Sequence, residues 1–170
     1  MILSSLSTVA YRAHTPRWAH APTRGAGAAA YGGRANRIGV PALYLALDEH
    51  TALAEYKQQS ELMPPATLVS YTIEINPVVD FRGGVGTRFD GIWEDFFCDW
   101  RNLWFDEGVE PPNWIIGDLV IEAKAKGILF NSALTGKPNL VIYTETLEEN
   151  DRVAVYDPRG DLPTNANSWG

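Results

Sequence analysis

The clearest alternation of apolar and polar positions runs through residues 68–75, with Val69, Tyr71, Ile73 and Ile75 on one side and Ser70, Thr72 and Glu74 on the other. That two-residue period belongs to a strand with one buried face, and Pro77, which has no N–H for a ladder, is expected to end it. Residues 7–12 predict an earlier strand, 40–47 a short apolar one, and 128–132, 140–145 and 152–156 three later ones. Other segments have helical spacing. Asp48 is a good N-cap for a helix reaching Gln58, with Glu49 in its first turn and Leu53 and Tyr56 three apart on one side. Trp93, Phe96, Phe97, Trp100, Leu103 and Trp104 fall at spacings of three and four, which predicts an amphipathic helix laying aromatics on the core. Pro111 and Pro112 suit the start of a further helix, expected to pass Ala123 and stop at Gly127, with Lys124 and Lys126 complementing its negative end.

Residues 14–33 are crowded with Pro, Gly and Ala and show no period, so they predict a long loop of the kind that binds or covers a ligand. The loop ends in Gly32-Gly33-Arg34, where paired glycines let the backbone turn tightly or approach a ligand closely. Strands and helices mix without regular alternation, which predicts a mixed α+β fold rather than a doubly wound sheet. A length of 170 residues with 45% hydrophobic and 11% aromatic content suits one domain over 1–170, with 157–170, rich in Pro, Gly, Asn and Ser, as a tail.

Charge narrows the partners. A formal net charge of −7 argues against holding nucleic acid by its phosphates, which takes a basic face, and makes a basic partner more plausible. No stretch approaches the roughly 20 apolar residues of a bilayer span. Residues 1–10 lack the basic start and long apolar core of a signal peptide, so no membrane association and a cytoplasmic location are expected. The single cysteine, Cys98, lies in an aromatic run that would raise its pKa, which fits a buried small hydrophobe in a reducing compartment better than a nucleophile.

Most catalytic signatures are missing. Histidines at 14, 20 and 50 and one cysteine give no metal-ligand spacing, so no metal is expected. There is no Gly-x-Ser-x-Gly elbow, and Gly83-Gly84-Val85-Gly86 carries no P-loop lysine and reads as a flexible turn. What remains is Tyr31-Gly32-Gly33-Arg34, then residues 41–46 (PALYLA), then Thr51-Ala52-Leu53-Ala54-Glu55, and much later residues 127–132 (GILFNS). Over residues 11–143 this order resembles the RES-domain family, whose members look like toxins paired with helix-turn-helix antitoxins. The resemblance implies an ADP-ribosyltransferase-like split β-sheet core with flanking helices. It implies a type II toxin with a helix-turn-helix (Xre-type) antitoxin partner, with NAD as substrate and no prosthetic group. By position, Arg34 matches the family arginine, Glu55 the glutamate and Ser132 the serine. Tyr44 matches an aromatic of the NAD site and Arg12 a second basic residue. The sequence departs from the family at Ala35, where a tryptophan usually follows the arginine.

The residue chemistry agrees. Cleavage of the nicotinamide–ribose bond passes through an oxocarbenium-like state, and a carboxylate such as Glu55 stabilises its charge and holds a ribose hydroxyl. The pyrophosphate calls for the bidentate fork of arginine, supplied by Arg34 and Arg12. Tyr44 would stack on nicotinamide or position the ribose, and Ser132 would orient the arginine or the ligand by hydrogen bond. Taken singly, Glu55 is an ordinary solvated helix position, Arg34 a surface turn, Tyr44 a core residue, Ser132 a turn former and Arg12 half of an ion pair. Three outcomes stay open: NAD destruction by hydrolysis or phosphorolysis, transfer of ADP-ribose to an acceptor protein, and a non-catalytic module built on the six tryptophans. A ribonuclease is disfavoured by the acidic balance.

Overall fold

The structure is a computed structural model and describes residues 1–169. Six strands, β1 (Leu3–His14), β2 (Ala42–Ala46), β3 (Thr67–Asp80), β4 (Gly127–Asn131), β5 (Pro138–Tyr143) and β6 (Arg152–Val155), form one mixed sheet in the order β1-β2-β5-β4-β3-β6. Because β1 also pairs with β3, the first five strands close into a barrel-like ring, with β6 added to the outer part of β3. Pairing is antiparallel except between β3 and β4, which run parallel at Val79–Ile128 and Asp80–Leu129. The ring is unevenly closed: β1 and β3 pair almost end to end, whereas β1 and β2 share the single pair Tyr11–Ala46.

Alternation sorts the strand residues into two cores. Ala10, Leu43, Leu45, Val69, Tyr71, Ile73, Ile75, Leu129, Leu140 and Ile142 fill the ring. Their neighbours in sequence, Ala42, Ile128, Phe130, Val141 and Tyr143, face the other way and join a second core with Phe81, Phe89, Trp93, Phe96 and the helix α3 (Pro112–Glu122). Two shorter helices complete the mixed α/β architecture, α1 (Ala26–Tyr31) and α2 (Glu49–Lys57), the latter capped as the sequence predicts by the Asp48 carboxylate accepting from Thr51 N at 2.8 Å.

Four expectations fail for identifiable reasons. Pro77 does not end its strand: residues 76 and 77 face Ser5 alone where the register of β1 and β3 shifts, and such a bulge tolerates a residue that cannot donate. Residues 14–33 are not all loop, since His14 ends β1 and α1 forms among the alanines. The helix ending near Gly127 stops at Glu122, with Lys124 at φ 61; Gly127 opens β4 so close to Val141 that a side chain would collide with its carbonyl. Lys126 consequently points inward, its Nζ donating to Thr146 O at 2.8 Å and pairing with Glu148 at 2.9 Å and Asp151 at 3.6 Å.

The fourth concerns the aromatic run. Trp93, Phe96 and Trp100 are buried as predicted, yet the backbone makes a 3-10 turn over Gly91–Asp95, breaks, and resumes as a π-helical turn over Asn102–Asp106. The rings wrap around Phe81, with centroids of Trp93 at 4.8 Å and Phe96 at 5.2 Å, and a straight helix would not follow that curve. In the tail, Leu162 packs onto the ring core and Asn167–Trp169 form a 3-10 turn.

Candidate active site

An open cleft of about 590 Å³ lies across β1, β2 and β5, walled by α1, α2 and the segment carrying Trp100, Arg101 and Phe105. Arg12, Arg34, Tyr44 and Glu55 all line it, so the fold gathers four of the five sequence candidates in one place. Ser132 stands behind them and reaches the cleft through Glu55.

Glu55 projects from α2, where the Asp48 cap fixes the start of the helix. Its Oε1 accepts from Ser132 Oγ at 2.6 Å and from Asn139 Nδ2 at 2.8 Å, while Oε2 accepts no hydrogen bond from the described residues. Ser132 is oriented in turn by its own turn, its Oγ accepting from Leu134 N at 3.1 Å and Thr135 N at 3.2 Å. The serine thus orients the glutamate, where the sequence pointed to the arginine or the ligand.

Arg34 follows the two glycines. Gly32 has φ +78 and lies under the Trp114 ring, and a side chain at Gly33 would meet Asn36 Oδ1 and the Tyr44 hydroxyl, both 2.5 Å away. Trp114 Nε1 donates to Gly33 O at 2.8 Å. The guanidinium of Arg34 donates through Nη1 to Phe96 O at 3.1 Å and Cys98 O at 3.3 Å and lies 5.3 Å from the Phe97 ring centre. Those carbonyls are offered by the break in the aromatic run, because an unbroken helix would take them up in its own ladder. Burial lowers the pKa of Arg34 and of Arg12, yet guanidinium stays charged in proteins. Burial also raises the pKa of the Cys98 thiol, the direction its aromatic surroundings imply.

Tyr44 gives its hydroxyl to the scaffold: it donates to Asn36 Oδ1 at 2.6 Å and accepts from Ala35 N at 2.9 Å, so it presents its ring to the cleft. Arg12 Nη1 donates to Tyr44 O at 2.6 Å, leaving the rest of its fork unengaged among the described residues. Ala35 is fully buried beneath α3, where Gly117 packs directly against its carbonyl, and Tyr143 donates to that carbonyl at 2.7 Å. Ala35 itself belongs to the apolar core and does not line the cleft.

Residues that the sequence reading missed complete the cleft. Asn139 lies outside the recognised motif, and nothing in its sequence surroundings marks it. Arg101 is exposed, 4.7 Å from the Trp100 ring centre, and like Arg12 and Arg34 has no carboxylate partner among the described residues. Three arginines against one carboxylate give the cleft the opposite sign to the chain as a whole. Tyr31, Phe105 and Leu134 are exposed apolar residues on the rim. Just beyond, buried His14 is within 2.6 Å of the Tyr71 hydroxyl, which donates to Pro22 O at 2.6 Å; His14 therefore donates from Nε2, and burial pushes its pKa down to about 4.

Among the described residues no three His, Cys, Asp or Glu side chains gather to hold a metal ion, and no helix is long and apolar enough to cross a membrane. The RES domain family model matches residues 9–165. A solved chain in the crystal structure of the M. tuberculosis MbcT–MbcA toxin–antitoxin complex is similar in fold, with a TM-score of 0.62 and 20% sequence identity, over 91% of this chain and 84% of that one. No curated protein matches the sequence.

Proposed function

The chain belongs to the RES domain family, and from that premise we propose that it is the toxin of a toxin–antitoxin pair, cleaving the nicotinamide–ribose bond of NAD. The observation that carries this reading is the state of Glu55: one carboxylate oxygen is tied by two donors and the other accepts no hydrogen bond from the described residues, at a cleft with three arginines that have no carboxylate partner among them. A dinucleotide presents the matching charges, an anionic pyrophosphate beside a ribose on which positive charge develops. Arg34 and Arg12 take the pyrophosphate with their unengaged N–H groups, the Tyr44 ring supports the nicotinamide end, and Glu55 Oε2 holds the ribose hydroxyl and faces the developing charge. Nicotinamide leaves as a neutral base, and water or inorganic phosphate takes the ADP-ribosyl group, depleting NAD.

The partner in this reading is a helix-turn-helix antitoxin that covers the cleft, consistent with the exposed rim of Tyr31, Phe105 and Leu134. The similarly folded chain comes from a toxin–antitoxin complex, which supports the pairing. The test is incubation of purified protein with NAD, with and without phosphate, and identification of the products by mass. Release of free nicotinamide with ADP-ribose or its 1-phosphate is expected. No loss of NAD from antitoxin-free protein would overturn the reading, and label transferred to one cellular protein while bulk NAD stays constant would replace it with protein ADP-ribosylation.

A further inference from the structure

Asn139 is placed at odds with its surroundings. It sits in β5 between β2 and β4, on the same side as Val141 and Tyr143, which pack into the apolar core. It is only 6% exposed, and its Oδ1 is buried with no hydrogen-bond partner among the described residues. An unpaired buried carbonyl costs stability, and an apolar side chain of the same shape would remove that cost. What the amide supplies in return is one bond, Nδ2 to Glu55 Oε1 at 2.8 Å.

We propose that Asn139 is a positioning residue for Glu55, retained for its amide N–H at the expense of the buried carbonyl. This rests on Glu55 acting on NAD as described above. A single donor from Ser132 would leave the carboxylate an axis about which to swing. Ser132 follows β4 and Asn139 lies in β5, so the two donors approach Oε1 from different strands and keep Oε2 turned outward. A group held in this way loses little freedom when charge develops opposite it, which is how a preorganised site lowers a barrier.

The test compares wild type with Asn139→Leu and Asn139→Asp, measuring Tm and the pH dependence of kcat and KM for NAD. Asn139→Leu keeps the volume and removes both amide atoms; its expected Tm equals or exceeds that of wild type while kcat falls about tenfold to a hundredfold with KM little changed. In Asn139→Asp the introduced carboxyl group shares a proton with Glu55 at low pH and so restores a donor, whereas at high pH the two carboxylates repel. Its kcat is therefore expected to drop as pH rises, beyond any change in wild type, while the deficit of Asn139→Leu stays constant with pH. Wild-type kcat in Asn139→Leu, or matching pH profiles for the two variants, would overturn the role of Asn139 and leave the NAD reading intact. If wild type itself releases no nicotinamide, the NAD reading fails and this proposal with it.

Discussion

Ser132 Oγ donates to Glu55 Oε1 at 2.6 Å, joining the turn after β4 to the last turn of α2 across 77 residues of sequence. The same oxygen accepts from two backbone N–H groups of its turn, so it has one direction in which to donate. Replacing Ser132 with alanine is expected to lower kcat more than it raises KM, and to cost about 1–3 kcal/mol of stability because the turn amides lose their acceptor. Steady-state kinetics and urea unfolding check both, and a stable, fully active Ser132→Ala variant would remove the serine from the site.

Glu55→Gln keeps the size of the side chain and withdraws its charge. If Oε2 faces charge that grows only in the transition state, kcat should fall by about 10²–10³ while the affinity for NAD changes little. Calorimetric binding alongside turnover separates the two effects, and near-normal turnover would refute the role of Glu55.

Arg34→Lys retains a positive charge but loses the planar fork that bonds Phe96 O and Cys98 O on one side and leaves N–H groups for phosphate on the other. NAD binding is expected to weaken about tenfold or more, and an unchanged dissociation constant would take Arg34 out of the pyrophosphate site.

Gly33→Ala places a methyl group 2.5 Å from both Asn36 Oδ1 and the Tyr44 hydroxyl, which are held to each other at 2.6 Å and cannot easily part. A loss of about 1–3 kcal/mol is expected on unfolding, together with weaker NAD binding as the Arg34 loop shifts. Equal stability of the variant in urea would show that the loop gives way.

His14 makes stability depend on pH. Its folded pKa is about 4 against an ordinary 6.5, so between these values the unfolded chain takes up a proton that the folded chain refuses. The contribution is complete above pH 6.5 and is lost as pH falls toward 4, up to about 3 kcal/mol for this shift. Unfolding free energies at several pH values should show a shallower slope for His14→Gln in that window, and identical slopes would assign the effect elsewhere.

Much of this fold was legible where periodicity and burial coincide. Val69, Tyr71, Ile73 and Ile75 face the core as their alternation requires, and Asp48 caps α2 as its residue type suggests. The misses share a cause: contacts distant in sequence overrode a local rule. Pro77 survives in β3 because of a register shift against Ser4 and Leu6, Gly127 enters a strand because Val141 crosses close to it, and the aromatic run bends around Phe81. In the cleft, Arg34, Tyr44 and Glu55 were singled out only through the resemblance to the RES-domain family. Asn139 was invisible, because an asparagine in a strand carries no signal until the strand is placed beside α2.

The single pair Tyr11–Ala46 that joins β1 to β2 has a mechanical meaning. Both residues line the cleft, and the bond from Arg12 to Tyr44 O bridges the two strands beside them. The barrel's thinnest stitch therefore runs along the floor on which a ligand would rest. A ligand resting there would span both strands at their weakest junction, and because a ligand that binds only the folded chain stabilises it, resistance to unfolding would be a gauge of whether the cleft is filled.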